Sequence, residues 1–151
     1  MTRSWPTAEI DPVRRLRVMA AAVHAPMYVE EVLDAPFETV WAVASDLERE
    51  LPRLVRAMRS FTILERRDET MTARAVSAVG HRAAFDVVLR PGWCLMQSRY
   101  VVGGMAAVPE GGKTRFAVLG ASRAVSGTVF EPAGRNLGRS MLRRLRQSLP
   151  A

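Results

Sequence analysis

From residue 59 to residue 121, apolar residues recur at every second position, in short runs separated by turn-forming residues. The runs are RSFTILER, TMTARAVSAV, RAAFDVVLR, WCLMQSRYVV, MAAVP and KTRFAVLGA. The breaks between them fall at RDE, Gly80, Pro91-Gly92, Gly103-Gly104 and EGG. A period of two is that of a strand with one face buried, and regularly spaced turn signals join such strands into an antiparallel meander. Six consecutive strands are therefore expected here, with Gly103-Gly104 closing the fourth and MAAVP a short fifth.

The flanks read differently. MYVEEVLD (27–34) has strand composition and stops at DAPFETVWAVAS. There Pro36 suits a first helical turn, Glu38 complements the helix N-terminus, and Val40, Val43, Ala44 and Leu47 recur at helical spacing, with Phe37 and Trp41 a second pair. A second short helix follows, with Ser45 and Glu48 as a capping box, Leu47, Leu51, Leu54, Val55 and Met58 as its apolar positions and Pro52 as a break. The tail carries Leu137, Met141, Leu145 and Leu149 in one stripe beside Leu142, with Arg135, Arg139, Arg143 and Arg146 opposite, and Gly134 and Gly138 permitting close approach. Residues 1–25 read as an N-terminal arm or short helix, with Asp11 as N-cap, Pro12 at the first helical position and Val13, Leu16, Val18 and Met19 as a small apolar face. The fold class that follows is α+β. A seven-stranded antiparallel sheet curls around a long C-terminal helix, and two short helices after strand 1 close one end.

Composition bounds the function. At 151 residues, 48% hydrophobic and 25% charged, the chain can bury a core without disulfides or metal. Cys94 is the single cysteine, which suits a reducing cytoplasm. With His24 and His81 the only histidines and neither in ligand spacing, no metal and no cofactor is expected. The net charge of +7 comes almost wholly from arginine, a bias that points to a GC-rich genome more than to nucleic acid. No apolar run approaches the ~18–20 residues that span a bilayer, and RRLRVMAAAV is too short and too poorly flanked for a signal peptide.

The strand faces segregate charge. Met71, Ala73, Ala75, Ser77 and Val79 oppose Thr70, Thr72 and Arg74. His81, Ala83, Phe85, Val87 and Leu89 oppose Arg82, Asp86 and Arg90, and Thr114, Phe116, Val118 and Gly120 oppose Arg115. One face of the sheet is thus expected to be wet. The inner face mixes bulky Phe85, Phe116 and Met96 with small Ala73, Ala75, Ser77 and Gly120, which leaves room for a cavity. On the strand WCLMQSRYVV, Cys94, Met96, Ser98, Tyr100 and Val102 share the inner face, so Ser98 and Tyr100 are candidate polar handles of a mostly apolar pocket. Met71, Met96, Met105 and Met141 add adaptable apolar surface.

The order of elements, the stretch VLDAPFETVWAVASDLERELPRLVRAMRSFTILER, and VVLRPGWCLMQSRYVVGGM with its VGGM ending resemble the START/Bet v 1-like superfamily, often called SRPBCC. The likeness is to its polyketide cyclase/dehydrase or coenzyme-Q-binding-like branch and covers roughly residues 27–149. PEGGKTRF is similar to that family's turn before the last strand. The resemblance implies the helix-grip fold, with residues 26–151 as a single domain. It also implies a cavity for a small hydrophobic or aromatic ligand between sheet and C-terminal helix. Its lining would draw on Trp41, on Met71, Ala73, Ala75 and Ser77, and on Phe85 and Val87. Met96, Ser98, Tyr100 and Met105 would contribute next, then Phe116 and Val118, and finally Leu137, Met141 and Leu145 from the helix. MAAVP is short for the family, which would leave that edge of the cavity open.

Three functions remain in view: a binder of a small apolar or aromatic molecule; a polyketide cyclase/dehydratase-like enzyme using the same cavity; and a basic-surface module for RNA, the ribosome or an anionic membrane. The enzyme reading rests on Tyr100, Ser98 and His81, with Arg74 or Asp86 reaching inward only if a strand is bulged. No Ser-His-Asp order, phosphate loop or metal motif is present. The third reading rests on the arginine stripe alone, which as an exposed helix face needs no partner.

Overall fold

The computed structural model describes residues 10–25, 27–122 and 131–150. Helix α1 (Pro12–Ala22) precedes strand β1 (Met27–Leu33), helices α2 (Phe37–Ala44) and α3 (Leu47–Leu54), and strands β2 (Met58–Arg67), β3 (Thr70–Ser77) and β4 (Arg82–Arg90). Strands β5 (Trp93–Gln97), β6 (Val101–Glu110) and β7 (Lys113–Ser122) follow, and α4 (Glu131–Ser148) ends the order. The seven strands form one antiparallel sheet in the order β1-β7-β6-β5-β4-β3-β2. Helices α2 and α3 carry the chain from one edge strand to the other. This is the helix-grip α+β architecture that the pattern of periods implies.

One turn falls elsewhere than the glycines suggest. β5 ends at Gln97, and the chain reverses through Ser98, Arg99 and Tyr100. The Ser98 hydroxyl accepts from the backbone N–H groups of Val101 at 3.0 Å and Tyr100 at 3.3 Å. A serine side chain thus builds the turn without glycine or proline. Gly103 and Gly104 lie inside β6, which runs ten residues rather than the short MAAVP. The edge of the cavity expected to be open for want of strand is therefore a full strand. At Pro91-Gly92 the turn is where the sequence places it. Gly92 has φ +75, and a Cβ there would stand 2.6 Å from the Ala107 carbonyl oxygen, so only glycine fits.

Of the expected N-terminal arm or short helix over 1–25, residues 1–9 lie outside the described residues, and Pro12–Ala22 form α1. Asp11 caps it by accepting from Arg14 N at 2.9 Å, and Pro12 opens it. Val13, Leu16 and Ala20 form its buried face, with Met19 partly buried beside them; of the expected set Val18 alone is exposed, and Ala20 takes its place. That face packs on the convex side of the sheet against Trp93, Ala106, Ala117 and Leu119. The convex side is consequently not uniformly wet: α1 covers it over β5 to β7, and the exposed charge lies on β2 to β4. An Arg17–Glu30 pair at 2.6 Å and the Arg15 guanidinium over the Trp93 ring at 5.7 Å fasten the helix.

The concave side holds the larger core, with Leu33, Val40, Leu47, Leu54, Phe116 and Leu142 among its fully buried members. Helix α4 packs chiefly on β1. The crossing is close at Gly138, where a Cβ would stand 2.6 Å from Val29 Cγ2. Arg144 donates to the Leu54 carbonyl at the end of α3 at 2.8 Å, and Arg146 reaches the Glu31 carboxylate at 2.9 Å. Asp46 rather than Ser45 occupies the N-cap of α3, with no side-chain cap bond, so SDLE forms no capping box.

Candidate functional site

The concave face is unevenly filled along the strands. At one end Trp41 of α2 stacks on Phe37 with centroids 6.4 Å apart and meets Phe116 at 6.5 Å, and these rings occupy the space between α2, β6 and β7. Farther along β6 and β7 the inward positions are glycines. Gly103 pairs with Gly120 across the ladder, and Met96 of β5 pairs with Gly103 on its other side. Three adjacent strands thus offer one flexible side chain between them.

The result is a cavity of about 410 Å³, within the ~300–1,000 Å³ typical of small-molecule sites. Its floor is β4 to β7, with Phe85, Met96, Met105 and the glycine pair. Met27 of β1, Leu51 of α3, Val55 at the C-cap of α3, and Met58 of β2 form one wall. Gly134, Leu137 and Met141 of α4 form the other. Val101 and Leu137, 43% and 44% exposed, mark where it meets solvent. Ser122 is the one side chain with a polar group on the lining among the described residues. A second depression, of about 380 Å³, lies on the convex face. Strands β2 to β5 alone bound it, and Thr70, Thr72, Asp86 and Gln97 line it. The concave cavity, enclosed by sheet and two helices, is the candidate site.

Of the residues expected on the lining, Phe85, Met96, Met105, Leu137 and Met141 are brought together there. Trp41, Ala73, Ala75, Phe116, Val118 and Leu145 are packed in the concave core instead, as are Met71 and Val87. The polar handles are not on the cavity. Tyr100 is 57% exposed in the β5–β6 turn, with the Arg99 guanidinium 5.6 Å from its ring centroid. Ser98 is buried but its hydroxyl serves the turn. The strand ends five residues earlier than its composition suggests, at Gln97 instead of Val102, so the inside–outside alternation that would aim Tyr100 inward stops there. Ser77 accepts from His81 N at 3.0 Å in the β3–β4 turn, where His81 is exposed. Arg74 and Asp86 point outward on an unbroken β3–β4 register, so no bulge turns either inward.

The lining that pattern reading missed comes from elements distant in sequence, Met27, Leu51, Val55 and Met58, and from glycine. Gly103 is the residue that a closer reading could have found: it stands two positions before inward-facing Met105 on the same strand. Cys94 is buried beside the site on β5, and burial pushes its thiol up to about 12, so it is protonated at neutral pH. Glu50 on α3 is buried, with Arg53 and Arg49 3.8 and 3.9 Å from one carboxylate oxygen, but it does not line the cavity. Among the described residues no cluster of His, Cys, Asp and Glu could hold a metal ion, and no helix is long and apolar enough to cross a membrane.

No protein-family model matches the sequence, and no curated protein matches it. Solved structures do. A START superfamily protein from Mycobacterium smegmatis superposes with a TM-score of 0.59 at 18% identity, over 82% of this chain and 95% of that one. The chain has the START-like fold. The TTHA0849 protein of Thermus thermophilus gives 0.57 at 20% identity over 80% and 94% of the two chains. The ZhuI aromatase/cyclase from Streptomyces gives 0.50 at 18% over 78% and 85%. At these identities the START-like likeness establishes architecture, and function has to be argued from the site.

Proposed function

We propose that this START-like protein binds one small apolar or aromatic molecule in the cavity between β4–β7, α3 and α4, as a cytoplasmic carrier or sensor. The observation that carries the reading is the glycine floor. Gly103 leaves open space on the floor, whereas Met27 already stands over Gly120, and methionines surround the cavity with surface that conforms to varied shapes. A side chain at 103 is not excluded by the backbone, since a Cβ there would meet nothing nearer than Met96 Cε at 3.5 Å. The absence of one is what keeps the space free.

The cyclase-like alternative draws support from the aromatase/cyclase neighbour. Against it, none of Tyr100, Ser98 and His81 lines the cavity, so proton transfer would have to use Ser122 or the ligand's own groups. Binding is the better-supported function.

The test is native mass spectrometry of freshly purified protein beside its Gly103→Phe variant. A discrete extra mass on the natural chain, absent from the variant, is expected. Equal occupancy of both proteins, with the variant folded, would remove the cavity from consideration.

A further inference from the structure

Met27 is held between two glycines, one on the sheet and one on a helix. It opens β1, pairs with Gly120 of β7 and is buried on the cavity wall. A Cβ at Gly120 would stand 3.5 Å from Met27 Cβ, and a Cβ at Gly138 of α4 would stand 3.3 Å from Met27 Cγ. The stem of the side chain therefore fills the gap between sheet and helix. Its tip lies over the cavity floor, where Cε and Sδ would be 2.8 and 3.5 Å from a Cβ at Gly120.

From Met27 one row of paired residues crosses the sheet through Gly120 and Gly103 to Met96. It covers three strand spacings of about 4.8 Å, roughly 14 Å in all. Paired residues present their side chains to the same face, so the two glycines make one continuous floor of bare backbone with a methionine at each end. The ends differ. Met96 only touches the floor, with its Cε 3.5 Å from a Cβ at Gly103, an ordinary contact. Met27 occupies the space that a Cβ at Gly120 would need, and so covers its half of the floor.

Resting on the binding function above, we propose that Met27 is the end stop that sets how long a ligand the cavity accepts. The ligand group that fits is narrow and extended, an alkyl chain lying across the strands. It runs from Met96 over Gly103 and ends against the Sδ–Cε tip of Met27. Without that tip the chain would continue over Gly120 as far as β1. The contact is between apolar atoms only, so the residue selects by length and not by polarity.

Displacement of N-phenyl-1-naphthylamine fluorescence from the full chain by octanol, decanol, dodecanol and tetradecanol tests this. In the natural chain affinity is expected to rise about fourfold per methylene and then to stop rising within the series. Met27→Ala should move that limit about two methylenes longer, one for each atom of the missing tip, with octanol affinity unchanged. Met27→Leu keeps the core filled but lacks Cε, and should move the limit about half as far; it decides the matter should Met27→Ala fail to fold. Leu137→Ala, where the cavity meets solvent, should leave the limit where it is. A limit unchanged in both Met27 variants means that the tip yields to the ligand, and overturns the end-stop proposal while the apolar cavity function stands. A limit that moves equally in Leu137→Ala, or that the natural chain never reaches, overturns it as well. Failure of the probe and of every alkanol to bind overturns both.

Discussion

The two faces of the sheet solve the same packing problem in opposite ways. On the convex face α1 lies directly on the strands, and Leu16 comes so close that a Cβ at Gly104 would stand 2.9 Å from its Cδ1. On the concave face the neighbouring Gly103 also lacks a side chain, yet no helix fills the space above it. Adjacent residues of one strand face opposite ways, so a single glycine pair seats a helix on one side and hollows a cavity on the other. Small residues do not in themselves mean a pocket. What decides is whether a neighbouring element comes in to fill the room they leave.

The sharpest way to break this contrast is to fill the hollow face. Gly103→Phe is expected to abolish ligand uptake while leaving the melting temperature within a few degrees, since the ring enters empty space. Calorimetric titration and thermal unfolding read the two effects separately. Emptying the filled face should do the reverse. Leu16 is fully buried under α1, and Leu16→Ala should cost about 2–5 kcal/mol in denaturant unfolding with ligand affinity unchanged. A loss of affinity of more than a few-fold would mean that the faces are coupled. Crowding the filled face comes next: Gly104→Val should destabilise by about 1–3 kcal/mol by forcing Leu16 aside, and a neutral result would show that α1 sits loosely.

A pH measurement sharpens the concave side. The Cys94 thiol is raised from 9.0 to about 12 by burial, so between those values the unfolded chain has lost a proton that the folded chain keeps. Stability must then fall as pH rises through that window, and Cys94→Ala should flatten the decline. In the folded protein iodoacetamide should leave Cys94 unmodified at pH 9, and rapid labelling would place the thiol in contact with solvent. The smallest effect is expected at the fastening of α1, where Arg17 is half exposed. Glu30→Gln should change unfolding free energy by no more than ~1 kcal/mol.

How far the sequence could be read follows the range of the interactions concerned. The period-two runs, Pro91-Gly92 and the Leu/Arg tail identify the sheet and its helix because each depends on neighbours a few residues away. The reading fails at Ser98-Arg99-Tyr100, where a side-chain hydroxyl makes a turn without glycine or proline. It fails again at Gly103-Gly104, where glycine marks close approach on one face and empty space on the other. Tyr100 faces solvent against expectation for that one reason, since a turn moved by a few residues reverses which side chains face inward. Phe85, Met96, Met105 and Met141 could be placed at the cavity from pattern and resemblance. Met27, Leu51 and Val55 could not, because what brings them there is the return of β1 and α3 to strands far along the chain.

That return also orders events in time. Strands β2 to β7 pair with sequence neighbours, but Met27 pairs with Gly120 and Leu33 with Thr114. Loop-closure entropy makes such distant pairings slow. On a ribosome β1 has no partner until β7 has emerged, and α1 has no surface until β5, β6 and β7 are side by side. Although α1 and β1 precede the meander in the chain, they are thus among the last elements to dock, and until they do Ala117 and Leu119 lack their cover. A meander that has not yet gained β1 and α1 is expected to be open to association through that bare surface.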